Sequence, residues 1–310
     1  MIIKHLELKN QDYKNIKLSG LSVKCLLNGA ANQGSTSVDF SKSVIKVILT
    51  RDDIPHVICM DNLKILGLAA NIDNLDQMAF STTGAVGEQL VTGQTALVSF
   101  KVPFGGVIDL QGDDKIYIEV QNLAGLFASD TLEAASYLEI KPVKCAGIER
   151  FIPNIRSWVV QANEQSNQYM IGDNVIRLAF LNYDKTDFKT AVLQNLIFSS
   201  DRLDETYTYQ DLVANKLSRY GKQLIPHGDA DQSVNIQQDQ SFILTDFHEE
   251  FDQVQLDVQF NGANVTAANN YFVAWTYKTD WTILRKAANK QAKYDQSTND
   301  KITKASTGKK

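Results

Sequence analysis

At 310 residues the chain is long enough for one large domain or two of ordinary size, each able to bury a core. Hydrophobic residues make up 44% and charged residues 22%, a globular composition that excludes disordered, fibrous and collagen-like classes. The net charge of −5 is segregated: Arg285, Lys286, Lys290, Lys293, Lys301, Lys304, Lys309 and Lys310 face only Asp295 and Asp300, so the tail carries +6 and the body about −11.

No apolar run nears the roughly 18 residues that cross a bilayer. The opening MIIKHLELKNQDYKN has no apolar stretch ending in a small-residue cleavage site, so the expectation is synthesis in the cytoplasm without a Sec-type signal. The first strand region is NIKLSGLSVKCLLNG, where Ile16, Leu18, Leu21, Val23 and Cys25 alternate with polar or small residues. FSKSVIKVILTRDD, from Phe40, reads as an apolar β-branched strand followed by an Asp-bearing turn. MDNLKILGLAANIDNLDQMA then predicts a helix, with Asp61 or Asn62 as its cap and Leu63, Ile65, Leu66 and Leu68 as its apolar positions. STTGAVGEQLVTG receives no element. ALVSFKVPF is a strand, as is DKIYIEVQ, where Ile116, Ile118 and Val120 share one face and Tyr117 and Glu119 the other. A loop, NLAGLFASDTLEAAS, leads to the strand YLEIKPV. In KPVKCAGIERFIPNIR the periodicity is broken by Pro142, Gly147 and Pro153, which places a boundary between units 1–147 and 148–284.

The second unit repeats the first. Strands in RSWVVQANE and NVIRLAFLNY precede FKTAVLQNLIFSSDR, the counterpart of the Phe40 segment. TYTYQDLVANKLSRYGKQL predicts a second helix, capped by Thr208, carrying Leu212, Val213 and Leu217, and stopped by Gly221. QSFILTDF matches ALVSFKVPF. DQVQLDVQ, with Val254, Leu256 and Val258 on its dry face, matches DKIYIEVQ, and after the loop NGANVTAANN comes YFVAWTY, the match of YLEIKPV. The offset between paired landmarks shrinks from 148 residues at Phe40 and Phe188 to 138 at Asp114 and Asp252 and 134 at Tyr137 and Tyr271, as loop insertions and deletions would produce. Seven to eight strands per unit make the chain all-β, one sandwich in each half. Residues 285–310 form a basic tail with little to bury.

Signatures of chemistry are sparse. His5, His56, His227 and His248 form no HExxH or His-x-His motif, and no GxSxG elbow is present. The densest cluster of candidate ligands is DFHEEFD: if extended, it would alternate Asp246, His248 and Glu250 onto one side for a divalent ion, against the plainer reading of a solvated acidic loop. GDADQ, from Gly228, lacks the ligand series of an EF-hand, the terminal GKK has no P-loop context, and NVT at Asn264 reads as a loop. Cys25, Cys59 and Cys145 have neither disulfide nor zinc spacing and read as buried thiols. Trp158, Tyr207, Tyr209, Trp275 and Trp281 are candidates for a sugar platform or, more simply, for core and interface. The basic tail, with Arg285, Lys286, Lys290 and Lys293 foremost, suits an anionic membrane surface or nucleic acid, or else serves as a solubilising terminus.

Taken with the scarcity of catalytic signatures, the duplication favours a structural role, since two fused similar domains in a threefold ring give a nearly hexagonal outline. The order of strand, Asp-bearing turn, helix and returning strands, stated twice, resembles the double jelly-roll major capsid proteins of the adenovirus, tectivirus and corticovirus lineage. It is most similar to those of tailless, internal-membrane bacteriophages such as corticoviruses and finnlakeviruses. The resemblance covers residues 1 to about 283, with TYTYQDLVANKLSRYGKQL and its first-half counterpart as its main support. It implies two tandem eight-stranded jelly rolls, each with a short helix between the sixth and seventh strands. It also implies homotrimeric capsomers that contact neighbouring trimers and penton or minor capsid proteins in a virion, over an internal membrane. No enzyme activity, cofactor or specific nucleic acid is implied. A virion spike and a carbohydrate-active double jelly-roll protein are the alternatives.

Overall fold

A computed structural model describes residues 1–4, 7, 9–28, 36–37, 41–72, 79–80, 89–90, 95–123, 135–182, 192–220, 241–266 and 269–278. Eight main strands build the first half: β1 (Ile2–Lys4), β2 (Gln11–Tyr13), β3 (Lys17–Asn28), β4 (Val44–Arg51), β5 (Ile54–Asn62), β6 (Thr95–Asp109), β7 (Lys115–Gln121) and β8 (Tyr137–Lys144). Eight more build the second: β9 (Ile152–Val159), β10 (Ser166–Gly172), β11 (Val175–Asn182), β12 (Leu193–Ser199), β13 (Asp204–Thr208), β14 (Phe242–Thr245), β15 (Val254–Phe260) and β16 (Asn270–Lys278). Helix α1 (Leu63–Asn71) joins β5 to β6, and α2 (Tyr209–Tyr220) joins β13 to β14. Two-residue strands at Ala79–Phe80, Thr36–Ser37 and Gln89–Leu90 add only a short edge to β6 and a separate bridge.

The two halves have the same topology. In the first, the sheets run β1-β8-β3-β6 and β2-β7-β4-β5; in the second, β9-β16-β11-β14 and β10-β15-β12-β13, all antiparallel. Adding eight to each first-half label gives its second-half equivalent. Each pair of four-stranded sheets with this wrapped order is a jelly roll. In both halves the helix falls between the fifth and sixth main strands, one connection earlier than the resemblance implied.

DKIYIEVQ and DQVQLDVQ become β7 and β15, each the second strand of its sheet, with Ile116, Ile118 and Val120 buried in one and Val254, Leu256 and Val258 in the other. Their alternation follows from one face on the core and one in water. Between β4 and β5, Asp52 and Asp53 adopt φ of 50° and 63° in a two-residue hairpin, a conformation that Asp tolerates better than most residues. Asn62 caps α1, its Oδ1 accepting from Ile65 N at 2.8 Å. Around α2 the Thr208 N–H donates to Asp211 Oδ2 at 2.8 Å while Asp211 N donates back to Thr208 Oγ1 at 3.3 Å, a reciprocal capping box. Gly221, expected to end this helix, lies outside the described residues.

Several elements gave no signal in the sequence. β5 runs through residues read as approach to, or start of, the first helix, and β13 takes the opening residues of the second predicted helix. β1, β2 and β10 were not anticipated. β1 and β2 are only three residues long, and β10 buries only Tyr169 and Ile171, so the alternation is too short to mark them.

Cys25 and Cys59 are buried, as expected, and burial pushes the Cys59 thiol up to about 12, whereas Cys145, also expected to be buried, is half-buried just after β8. Arg51, buried at the end of β4, donates Nε–H to Asp114 Oδ2 at 2.9 Å and a guanidinium N–H to Glu149 Oε1 at 2.7 Å. Glu149 lies between β8 and β9, so this ion pair ties the connecting segment to the first jelly roll.

Candidate assembly surfaces

In the second half the central strands of the sheet β9-β16-β11-β14 are dry on both faces. Every residue of β11, and β16 from Asn270 to Thr276, is buried. Phe272 and Ala274 point into the second jelly roll, whose core also contains Leu178, Phe180, Phe198 and Val258. Tyr271, Val273 and Trp275 point the other way and join the core of the first jelly roll together with Ile155, Ala179 and Leu181. A strand with two dry faces has no polar alternation to display, which is why VIRLAFLN and YFVAWTY are nearly unbroken apolar runs.

The surface receiving this sheet is the edge formed by β5, α1 and β6. Helix α1 is buried nearly all round, with Leu63, Ile65, Leu66 and Ala69 inside. On β6 the ladder skips from the Gly20–Pro103 pair to the Leu18–Ile108 pair, leaving Phe104 to Val107 as a bulge opposite Ser19. Trp275 fits against that bulge, donating Nε1–H to Pro103 O at 2.9 Å. The Arg177 guanidinium lies 5.0 Å from the Trp275 ring and 4.8 Å from that of Phe247. Gly105, at φ 79°, must lack a side chain because a Cβ would sit 2.9 Å from the Phe247 ring; one on Gly106 would sit 2.7 Å from Phe151.

Polar contacts line the rest of the seam. Asn154 Nδ2 donates to Val57 O at 2.6 Å, and the Lys64 ammonium reaches Asn269 Oδ1. Asp61, half-buried and hydrogen-bonded to Ser157 of β9, has its carboxyl pushed up to about 6 by burial, against the pull of that hydrogen bond and of the Asn62 N–H.

Among the described residues nothing packs over the equivalent face of the first half, on β1-β8-β3-β6, where Lys4, Lys101 and Lys141 are exposed and Lys24, Tyr137 and Glu139 half-buried. Pairing fixes the correspondence: Tyr137 pairs Leu26 as Tyr271 pairs Leu181, Glu139 pairs Lys24 as Val273 pairs Ala179, and Lys141 pairs Ser22 as Trp275 pairs Arg177. The apolar set that seals the seam is therefore replaced on this face by Tyr137, Glu139 and Lys141.

Asp246, His248 and Glu250 do not lie on one extended side. The chain turns at Phe247 and His248, the Asp246 carboxylate accepts from Phe247 N at 2.8 Å, and Glu250 accepts from the Tyr277 hydroxyl at 3.0 Å. Among the described residues no three His, Cys, Asp or Glu side chains gather as a metal-binding group. Of the aromatic candidates, Trp275 belongs to the seam and Tyr209 to the second core, with Trp158 and Tyr207 packed against that core. A recess of about 670 Å³ on the outer face of β10-β15-β12-β13 is lined by Gln168, Asn195, Ile197 and Asp257 among others; among the described residues Asp257 is its one carboxylate and no aromatic ring lines it. Trp281, GDADQ, Arg285, Lys286, Lys290 and Lys293 lie outside the described residues. No helix among the described residues is long and apolar enough to cross a membrane.

No protein-family model and no curated protein matches the sequence. Solved structures do match. The chain is similar to the major capsid protein of Sulfolobus Turreted Icosahedral Virus in its crystal structure, at 11% identity and a TM-score of 0.51 over 89% of this chain and 96% of that one. A chain from the atomic structure of the same virus gives 10% identity and a TM-score of 0.54 over 89% of this chain and 88% of that one. The major capsid protein of bacteriophage PM2 is a more distant likeness, with 10% identity and a TM-score of 0.44. Sheet order and the likeness to the Sulfolobus Turreted Icosahedral Virus chains together give the chain the double jelly-roll fold of viral major capsid proteins.

Proposed function

We propose that this chain is a major capsid protein whose homotrimers form pseudo-hexagonal capsomers in an icosahedral shell. The observation carrying this reading is the head-to-tail packing of two topologically identical jelly rolls, one sheet of the second against the β5-α1-β6 edge of the first, in a fold shared with the capsid protein of Sulfolobus Turreted Icosahedral Virus. A contact between unlike surfaces generates a ring if its rotation closes, and three such chains bring six similar units around one axis. On this reading the units divide at 147/148, the protein is a virion component, and its partners are copies of itself, adjoining capsomers and penton or minor capsid proteins. Light scattering on the purified chain is the test: a particle of about three times 34.6 kDa with a hexagonal outline in negative stain is expected, and a monomer at every concentration would overturn the capsomer.

The tail 285–310 is proposed to face an internal membrane, Arg285, Lys286, Lys290 and Lys293 each contributing about 1 kcal/mol near an anionic bilayer. Truncation after Leu284 should leave trimers intact and abolish binding to anionic vesicles. Equal binding by the truncated chain would remove the membrane role and leave the capsomer standing.

A further inference from the structure

The seam within the chain is a template for one between chains. We infer that the face of β1-β8-β3-β6 bearing Tyr137, Glu139 and Lys141 docks onto the β13-α2-β14 edge of a second copy, as β9-β16-β11-β14 docks onto the β5-α1-β6 edge of its own. This rests on the capsomer reading and names the surfaces that close its ring.

Among the described residues both surfaces carry exposed side chains. On the donor face Ile2 is 55% exposed, and Lys4, Lys101 and Lys141 are exposed. On the acceptor edge Asp204, Thr206 and Thr208 of β13 and Gln210, Asp211, Ala214 and Asn215 of α2 are exposed. The contrast with α1 is informative: its equivalents of these helical positions are covered by the second half, and α2 presents the same side to solvent.

The charges are complementary. Lys4, Lys24, Lys101 and Lys141 surround one carboxylate, Glu139, which Lys141 contacts at 2.7 Å. The acceptor edge carries Asp204 and Asp211, and at the end of β14 the turn Asp246–Glu250 adds Asp246, Glu249 and Glu250, with Arg202 beside them. The acidic turn also lies where the template requires it. Thr245 pairs Leu178 as Phe100 pairs Val23, so three residues on His248 corresponds to Pro103, the residue whose carbonyl receives Trp275; Lys141 is the equivalent of Trp275. A second copy docked in the same way brings its Lys141 against DFHEEFD. The cluster that makes no metal site among the described residues thereby gains a partner, an ammonium group. Its interface is polar and salt-sensitive where the internal seam is apolar, as expected of units that fold before they meet.

The experiment is sedimentation velocity at low and high salt on wild type, Lys141→Glu, Glu249→Lys and the double variant. Both sites are exposed, and unchanged far-UV circular dichroism and Tm establish that each variant folds; Lys24→Glu is the second variant of the donor face. Each single reversal should weaken trimer association about tenfold or more at low salt, and the double variant should recover to within about threefold of wild type. Single variants that assemble like wild type, or a double variant as weak as the singles combined, would overturn this interface while leaving the trimer intact. A wild type that never associates would instead overturn the capsomer reading and this interface with it.

Discussion

Replacing Trp275 by alanine should uncouple the two jelly rolls before it unfolds either. The side chain is fully buried, its ring faces the first half and not the second core, and its Nε1–H holds the Pro103 carbonyl at 2.9 Å. Truncating a buried Trp costs about 3–5 kcal/mol, and leaving a buried carbonyl unpaired costs about 1–3 kcal/mol. The two overlap, because a cavity that admits water also hydrates the carbonyl, so a loss of about 5 kcal/mol is expected. Trp275→Phe keeps most of the apolar contact and loses the hydrogen bond, which puts its cost at about 1–2 kcal/mol. Urea unfolding followed by far-UV circular dichroism, at matched protein concentration, should show one transition for wild type, a single earlier one for Trp275→Phe, and two resolved ones for Trp275→Ala. A Trp275→Ala protein that keeps a single transition at the wild-type midpoint would refute the assignment of this residue as the joint.

Three more perturbations probe the elements around the seam. Asp61 binds its proton more tightly in the folded chain, at about 6, than the 3.8 of an ordinary Asp, so its contribution to stability is fully present below about pH 4 and is lost as the pH rises to 6. The stability gained by Asp61→Asn should therefore grow across that window to on the order of 3 kcal/mol and then stay flat; a difference independent of pH would show that Asp61 is not strained by burial. Arg51→Met strands the carboxylates of Asp114 and Glu149 and should cost about 3–5 kcal/mol in thermal unfolding, partly restored by adding Glu149→Gln. Thr208→Ala removes half of the α2 capping box and should cost about 1 kcal/mol, with faster amide exchange confined to the first turn; protection that stays unchanged there would rule out the cap.

The duplication was legible because β7 and β15 each have one wet face, so Ile116, Ile118 and Val120, like Val254, Leu256 and Val258, mark the core at period two. The helix caps were legible because they are local: Asn62 and Thr208 need only the residue three positions on. β5 was hidden by Pro55 and by a register shift opposite Val47 and Ile48, which together erase its alternation. β13 was hidden because DETYT is a polar edge strand whose pairing with β12 is made by backbone groups. The seam was out of reach for a different reason. Trp275 stood among five aromatic candidates for a sugar site, and its neighbours Pro103, Gly105 and Arg177 are distant in sequence. One signal was nonetheless present: YLEIKPV and YFVAWTY are equivalent strands, and only the second is apolar at both parities.

That difference bears on why the capsomer would be built from a fused pair. In a ring of identical single jelly rolls every seam uses the same residues, so a surface apolar enough to hold firmly is also exposed on every unassembled subunit. Fusion removes the constraint. One seam forms as the chain folds and can bury Tyr271, Val273 and Trp275, because no folded molecule presents them to water. In the proposed capsomer the other is closed only by a second copy, and at the equivalent positions it carries Tyr137, Glu139 and Lys141. In that capsomer, lysine and glutamate there would direct the approach of a complementary acidic edge and leave the contact responsive to salt. Replacing Glu139 and Lys141 by Val and Trp, the residues of the internal seam, should then produce salt-insensitive association and aggregation at low concentration; a double variant that stayed as soluble and as salt-sensitive as wild type would show that this face never meets a partner.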